Sequence, residues 1–134
     1  MRLWHIDLIP FLPKSQLLAQ WRELNSIFKY ENKHILINYV YDYPKEYLQE
    51  YSRLVGGEML ARGYKINSYE NYHNYFDGVE ITNGLRFKEH NKEYFEICYY
   101  NLKEKYLRGQ KDFSKEEWET LEKYYKIQKR LKNI

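Results

Sequence analysis

Cysteine occurs once in the 134 residues, at Cys98, so no internal disulfide can form. No Cys/His pairs stand at zinc-ligand spacing either. A reducing intracellular compartment is the expected setting, with Cys98 a small packed apolar residue. Proline (three) and glycine (six) are scarce, which marks an ordered chain with amphipathic surfaces. The length fits one domain, residues 1–134, able to bury a modest core without disulfides or a structural metal. Long apolar runs are missing as well: Asp7, Pro10 and Pro13 interrupt the region around LIPFL, and no stretch approaches the roughly 20 apolar residues of a membrane span. Neither a signal peptide nor a membrane segment is expected. Excess charge of one sign is nearly absent too. The net +3, from 22 Lys+Arg against 19 Asp+Glu, is too small to indicate nucleic acid by itself.

Several kinds of chemistry lack their motifs. His5, His34, His73 and His90 are scattered without ligand spacing, so no metal site is expected. There is no Gly-rich phosphate loop, no G-x-S-x-G elbow and no Cys/His pair near a helix start. What remains is an amine nucleophile assisted by a carboxylate.

What is present reads as helix. Leu17, Leu18, Trp21, Leu24 and Phe28 recur at three- and four-residue steps behind Pro13, predicting a helix over 14–29. Asp42 as cap, Pro44 at the start and Gly63 as stop predict a second over 44–62, with Gly56-Gly57 as a close approach, a tolerated defect or a break. KHILINYVY, 33–41, is nearly continuously apolar and reads as a short helix or extended turn. The Tyr/Asn-rich stretch 67–84 reads as a long surface loop with one helical turn in it. Phe87, Tyr94, Phe95, Cys98, Leu102 and Tyr106 give a core face for a helix over 85–107. Ser114 with Glu117 forms a capping box before Trp118, Leu121, Tyr125 and Gln128. The architecture is all-α, a compact helical bundle against which the apolar N-terminal segment packs.

Charge is distributed more tellingly than its sum. From Lys123 onward KYYKIQKRLKNI carries Lys123, Lys126, Lys129, Arg130 and Lys132 with no acid, interleaved with Tyr124 and Tyr125. This is either a solvated helix end, where cations suit the dipole, or a nucleic-acid contact. At the other terminus Arg2 follows the initiator methionine and is too large for bacterial-type methionine removal, so Met1 is expected to keep a free α-amine. An unperturbed α-amine has a pKa of about 7.8 against about 10.4 for lysine, which makes it roughly 400-fold more available as a neutral nucleophile.

LLAQWRELNSIF, residues 17–28, resembles the first-helix signature of the phage-type pyrimidine dimer DNA glycosylases of the endonuclease V type, which are also lyases at abasic sites. MRLWH, DLIPFLP, QLL, KH and NYVYDYPKEYL are similar to the bacterial branch of that family, and residues 1–64 carry the likeness. KYYK at 123–126 is similar to the aromatic-basic tail of the phage enzymes. The resemblance implies that the Met1 amine is the nucleophile and Glu23 the catalytic carboxylate. It implies that Arg22 and Arg2 bind DNA at the lesion. His34, Tyr124, Tyr125 and Lys126 are further candidates for DNA contact. Ser26 stands where the phage form has another DNA-contacting arginine, and Ile6 where the bacterial branch has proline. No metal or organic cofactor is implied. The implied partner is double-stranded DNA with damaged bases, met by a monomeric cytoplasmic, nucleoid-associated or phage-encoded protein. Read without the resemblance, Glu23 is as well explained as an exposed helix carboxylate, Arg2 as a solubilising charge and His34 as a half-buried histidine. A non-catalytic DNA-binding relative, a helical protein-interaction module and an enzyme for another damaged base remain the alternatives.

Overall fold

The computed structural model describes residues 1–132. Asn133, Ile134 and the Lys132 side chain, the end of the expected basic tail, lie outside the described residues. The order of elements is a 3-10 helix Ile6–Phe11, then α1 (Lys14–Tyr30), a second 3-10 helix Asn38–Asp42, α2 (Lys45–Ala61), α3 (Glu70–Tyr75), α4 (Lys92–Leu107) and α5 (Lys115–Lys132). The fold is all-α, and no strand occurs among the described residues. No helix there is long and apolar enough to cross a membrane.

The N-terminal segment lies inside the bundle. Leu3, Leu8, Ile9 and Leu12 are fully or almost fully buried, and the first 3-10 helix touches α2, α4 and α5. Its irregular shape follows from Pro10, which supplies no backbone N–H for a longer helix. On the other side α1 packs against α2 and α3. Leu17, Leu24 and Phe28 are buried on α1 as the spacing predicts, Leu18 and Trp21 are half-buried, and Ile27 and the polar Gln20 share the buried face.

α2 runs unbroken through Gly56-Gly57. Only Gly56 of the pair faces α1: a Cβ there would meet the Trp21 ring at 3.4 Å, van der Waals contact, while one at Gly57 would meet nothing within 4 Å, so the pair is a tolerated defect. Asp42 does not cap this helix. The N-cap position belongs to Pro44, without a side-chain hydrogen bond, because Asp42 closes the preceding 3-10 helix. The helix ends as expected: Gly63 takes φ +82°, the Gly63 N–H reaches the Leu60 carbonyl and the Tyr64 N–H the Met59 carbonyl.

One helix start differs from expectation. α4 begins at Lys92, because the Asn91 side chain caps it by accepting from the Tyr94 N–H. Residues 85–91 form a turn that still buries Phe87 and His90, so apolar spacing extended the helix beyond its real cap. Before α5 the capping box is reciprocal, with Ser114 N–H to Glu117 Oε1 and Glu117 N–H to Ser114 Oγ both at 3.1 Å.

Candidate active site

The chain start is fixed by side chains from three helices. On α1 the Gln20 amide is fully committed: Oε1 accepts from the Trp4 N–H at 2.8 Å and the Tyr51 hydroxyl at 2.9 Å, while Nε2 donates to the Arg2 carbonyl and to Glu23 Oε2, each at 3.1 Å. Tyr51 on α2 also donates to the Trp4 carbonyl at 2.7 Å, so its one proton is shared between two acceptors. Tyr94 on α4 donates to the Leu3 carbonyl. Just before α4, His90 Nδ1 accepts from the Ile6 N–H at 3.0 Å, which makes Nε2 the protonated nitrogen, donating to Tyr39 Oη at 2.7 Å.

Beside this anchorage lies a cleft of about 210 Å³ lined by Met1, Arg2, Trp4, Glu23 and Leu36, among others, with Asn101 and Lys105 contributed by α4. Met1 is partly exposed, Arg2 is half-buried and Leu3 is fully buried, so the chain runs inward from its first residue. Glu23 is half-buried. Burial pushes its carboxyl above the usual carboxylate range, and the N-terminal ammonium and the Arg22 guanidinium pull it part of the way back. The amine and the carboxylate therefore feel each other across the cleft. Gln20 holds one Glu23 oxygen and leaves the other for a ligand.

The remaining candidates fall in different places. Arg2 lines the cleft and lies beside Tyr94 and Cys98. Arg22 is exposed on α1, outside the cleft lining but within electrostatic reach of Glu23. His34 is exposed rather than half-buried, and its Nδ1 accepts from the Leu36 N–H at 3.1 Å. Tyr125 lies in the core. Its ring is buried in a parallel stack on Tyr99 at 3.7 Å and beside Phe95, and its hydroxyl donates to Glu96. A ring so packed serves the core, because α5 needs an apolar face. Tyr124 stacks on Phe11 at 4.5 Å. Lys126 is exposed and faces Glu122 at 3.7 Å. None of these α5 residues lines the cleft.

Gln20, Tyr51, Tyr94, His90, Asn101 and Lys105 were missed by sequence reasoning. Gln20 carried a readable signal: a polar residue on the buried stripe, one turn before Glu23. The long-range partners carried none. Replacing Gln20 by leucine is expected to leave the Trp4 N–H and Arg2 carbonyl unpaired and to destabilise the fold by about 2–4 kcal/mol, measured by urea unfolding.

A pH dependence follows from His90. Burial first, then the neighbouring His5 and Arg86 charges, lower its pKa to about 3. The unfolded chain binds this proton near pH 6.5, so the stabilising contribution is complete above that pH and is lost as the pH falls towards 3. The expected slope is about 1.4 kcal/mol per pH unit in that window. Urea midpoints measured at pH 7 and pH 5 check it, and a His90→Gln protein should lose the dependence.

No curated protein and no solved structure matches the chain. Residues 1–70, just over half of the sequence, match the family model described as pyrimidine dimer DNA glycosylase. That segment holds Met1, Arg2, Trp4, Glu23 and Leu36 of the cleft, and the chain belongs to the pyrimidine dimer DNA glycosylase family.

Proposed function

We propose that the protein is a DNA repair glycosylase with an associated lyase activity at abasic sites, and that its cleft performs both steps on UV-damaged duplex DNA. The observation that carries this reading is the single side chain Gln20, which ties the Arg2 carbonyl and the Glu23 carboxylate together beside a cleft that Met1 also lines. Family membership makes DNA the substrate.

The neutral Met1 amine attacks deoxyribose C1′, a C–N bond to the protein forms, and the glycosidic bond to the damaged base breaks with its electron pair leaving on the base. Opening of the sugar ring gives a protonated imine between Met1 and C1′. The imine acidifies C2′–H, loss of that proton expels the 3′ phosphate by β-elimination, and water then hydrolyses the imine and frees the amine. Glu23 stabilises the cationic sugar and moves protons through its free oxygen. Its electrostatic proximity to the N-terminus supports this role. Arg2 and Lys105, which both line the cleft, hold phosphates beside the lesion, with Arg22 outside it. A duplex shields C1′, so the nucleotide must leave the stack at a cost of a few kcal/mol.

The test is borohydride trapping of the protein on duplexes holding a cyclobutane dimer or an abasic site. The expected result is a covalent adduct whose peptide map places the DNA on Met1. No adduct on either duplex overturns the lyase reading.

A further inference from the structure

The connection between α1 and the second 3-10 helix ends in an apolar tip that the core does not use. Ile35 is 87% exposed and Leu36 40% exposed, although Ile37 beside them is fully buried. An isoleucine held in water is ordinary on a mobile loop, but this loop is built. The chain leaves α1 through Glu31 in the left-handed region at φ 47°, a conformation unusual for a non-glycine residue. Asn32 accepts from Ser26 Oγ at 2.8 Å through its side chain and from the Tyr41 hydroxyl at 2.6 Å through its carbonyl. The Lys33 ammonium sits 3.8 Å over the Tyr41 ring.

The tip itself is pinned on both flanks. The Asn38 side chain accepts from the His34 N–H at 2.7 Å, the His34 ring accepts from the Leu36 N–H, and the His34 carbonyl accepts from Ile37 and Asn38, both at 2.9 Å. Residues 34–38 thus form a closed turn that pushes two aliphatic side chains outward. Leu36 at the same time lines the cleft that holds Met1 and Glu23. Exposed Arg22, Lys29 and Lys33 lie along α1 and at the foot of the loop, cations suited to phosphates on either side of an apolar insertion.

The geometry points to Ile35 and Leu36 as a wedge that enters the base stack of duplex DNA next to the lesion, unstacking the step and directing the damaged nucleotide into the cleft. The wedge rests on the glycosylase reading of that cleft. A rigid aliphatic tip suits this task, since apolar side chains inserted between base steps kink a duplex without sequence demands. Rigidity matters because a wedge must not lose its own order on insertion. The hydrogen-bonded base also explains the position of Ser26, whose hydroxyl serves the loop rather than DNA.

The experiment uses Glu23→Gln protein, so that no chemistry intervenes, and a duplex carrying a stable abasic analogue flanked by 2-aminopurine, whose fluorescence rises on unstacking. Binding is expected to raise the signal several-fold. Adding Ile35→Ala and Leu36→Ala should remove most of that rise and weaken binding about tenfold, while Ile35→Met with Leu36→Met restores both. In protein with Glu23 intact, Ile35→Ala alone, which lies outside the cleft lining, should leave trapping on a single-stranded abasic oligonucleotide within about twofold, because no stack has to open. An undiminished fluorescence rise in the bound alanine variant overturns the wedge alone, and would give the tip to a protein partner. Failure of the Glu23→Gln protein to bind any duplex overturns both the wedge and the reading on which it rests.

Discussion

One residue added before Met1 is expected to reduce the borohydride-trapped adduct on an abasic duplex by at least about 100-fold. The added residue converts the Met1 nitrogen into a planar amide, whose lone pair is delocalised into the carbonyl and no longer attacks carbon. A free amine still exists, but one backbone step further on, up to about 3.8 Å away. The Arg2 carbonyl is held by Gln20, the Leu3 carbonyl by Tyr94 and the backbone N–H and carbonyl of Trp4 by Gln20 and Tyr51. The segment therefore cannot slide to bring the new amine back. Misplacement of a reacting group by an ångström already costs about 100-fold. Duplex affinity should stay within about threefold, since Arg2, Arg22 and α5 are untouched. Removing the extra residue with a site-specific protease should restore the adduct. An adduct of unchanged yield would assign the nucleophile to another amine, with Lys105 of the same cleft the first to test.

The same contacts show which parts of this site a sequence can reveal. Helix α1 is legible because Leu17, Leu24, Ile27 and Phe28 obey one period and all are buried. The α5 start is legible because a capping box is local, Ser114 and Glu117 satisfying one another three residues apart. Glu23 and Arg22 stand out only through resemblance, since an Arg-Glu pair on a helix is otherwise commonplace. Pairings across the bundle are not legible: Ile6 meets His90 and Leu3 meets Tyr94 across more than eighty residues. Tyr125 shows the converse. Its place in an aromatic-basic tail suggested a DNA contact, yet its register with Trp118 and Leu121 made it core, and the helical period was the better guide. In α4 the period misled at residues 85–91, where Phe87 kept the apolar spacing while Asn91 held the actual cap. Local hydrogen bonds decided that boundary, and spacing alone carries no record of them.

Glu23→Gln is expected to lower the rate of base excision and of β-elimination by about 100- to 10,000-fold. The change is nearly isosteric, and the new amide oxygen still accepts from Gln20 Nε2, so the arrangement of the chain start survives. What disappears is the negative charge opposite the developing sugar cation and the site that takes or gives a proton. Stability should move the other way. Burial raises the Glu23 pKa in the folded protein, so its contribution to stability is full below the unfolded carboxyl pKa and is lost as pH rises through the folded value. At neutral pH the ionised carboxylate thus costs stability, and Glu23→Gln should unfold at a higher urea concentration than the wild-type protein. The pH profile separates catalysis from packing. On the acid side the wild-type profile should show one more protonation step than the variant's, the Glu23 step, at a pH above the usual carboxylate range. A variant that keeps its rate while gaining stability would leave Glu23 as a buried charge held by Gln20 with no part in the chemistry.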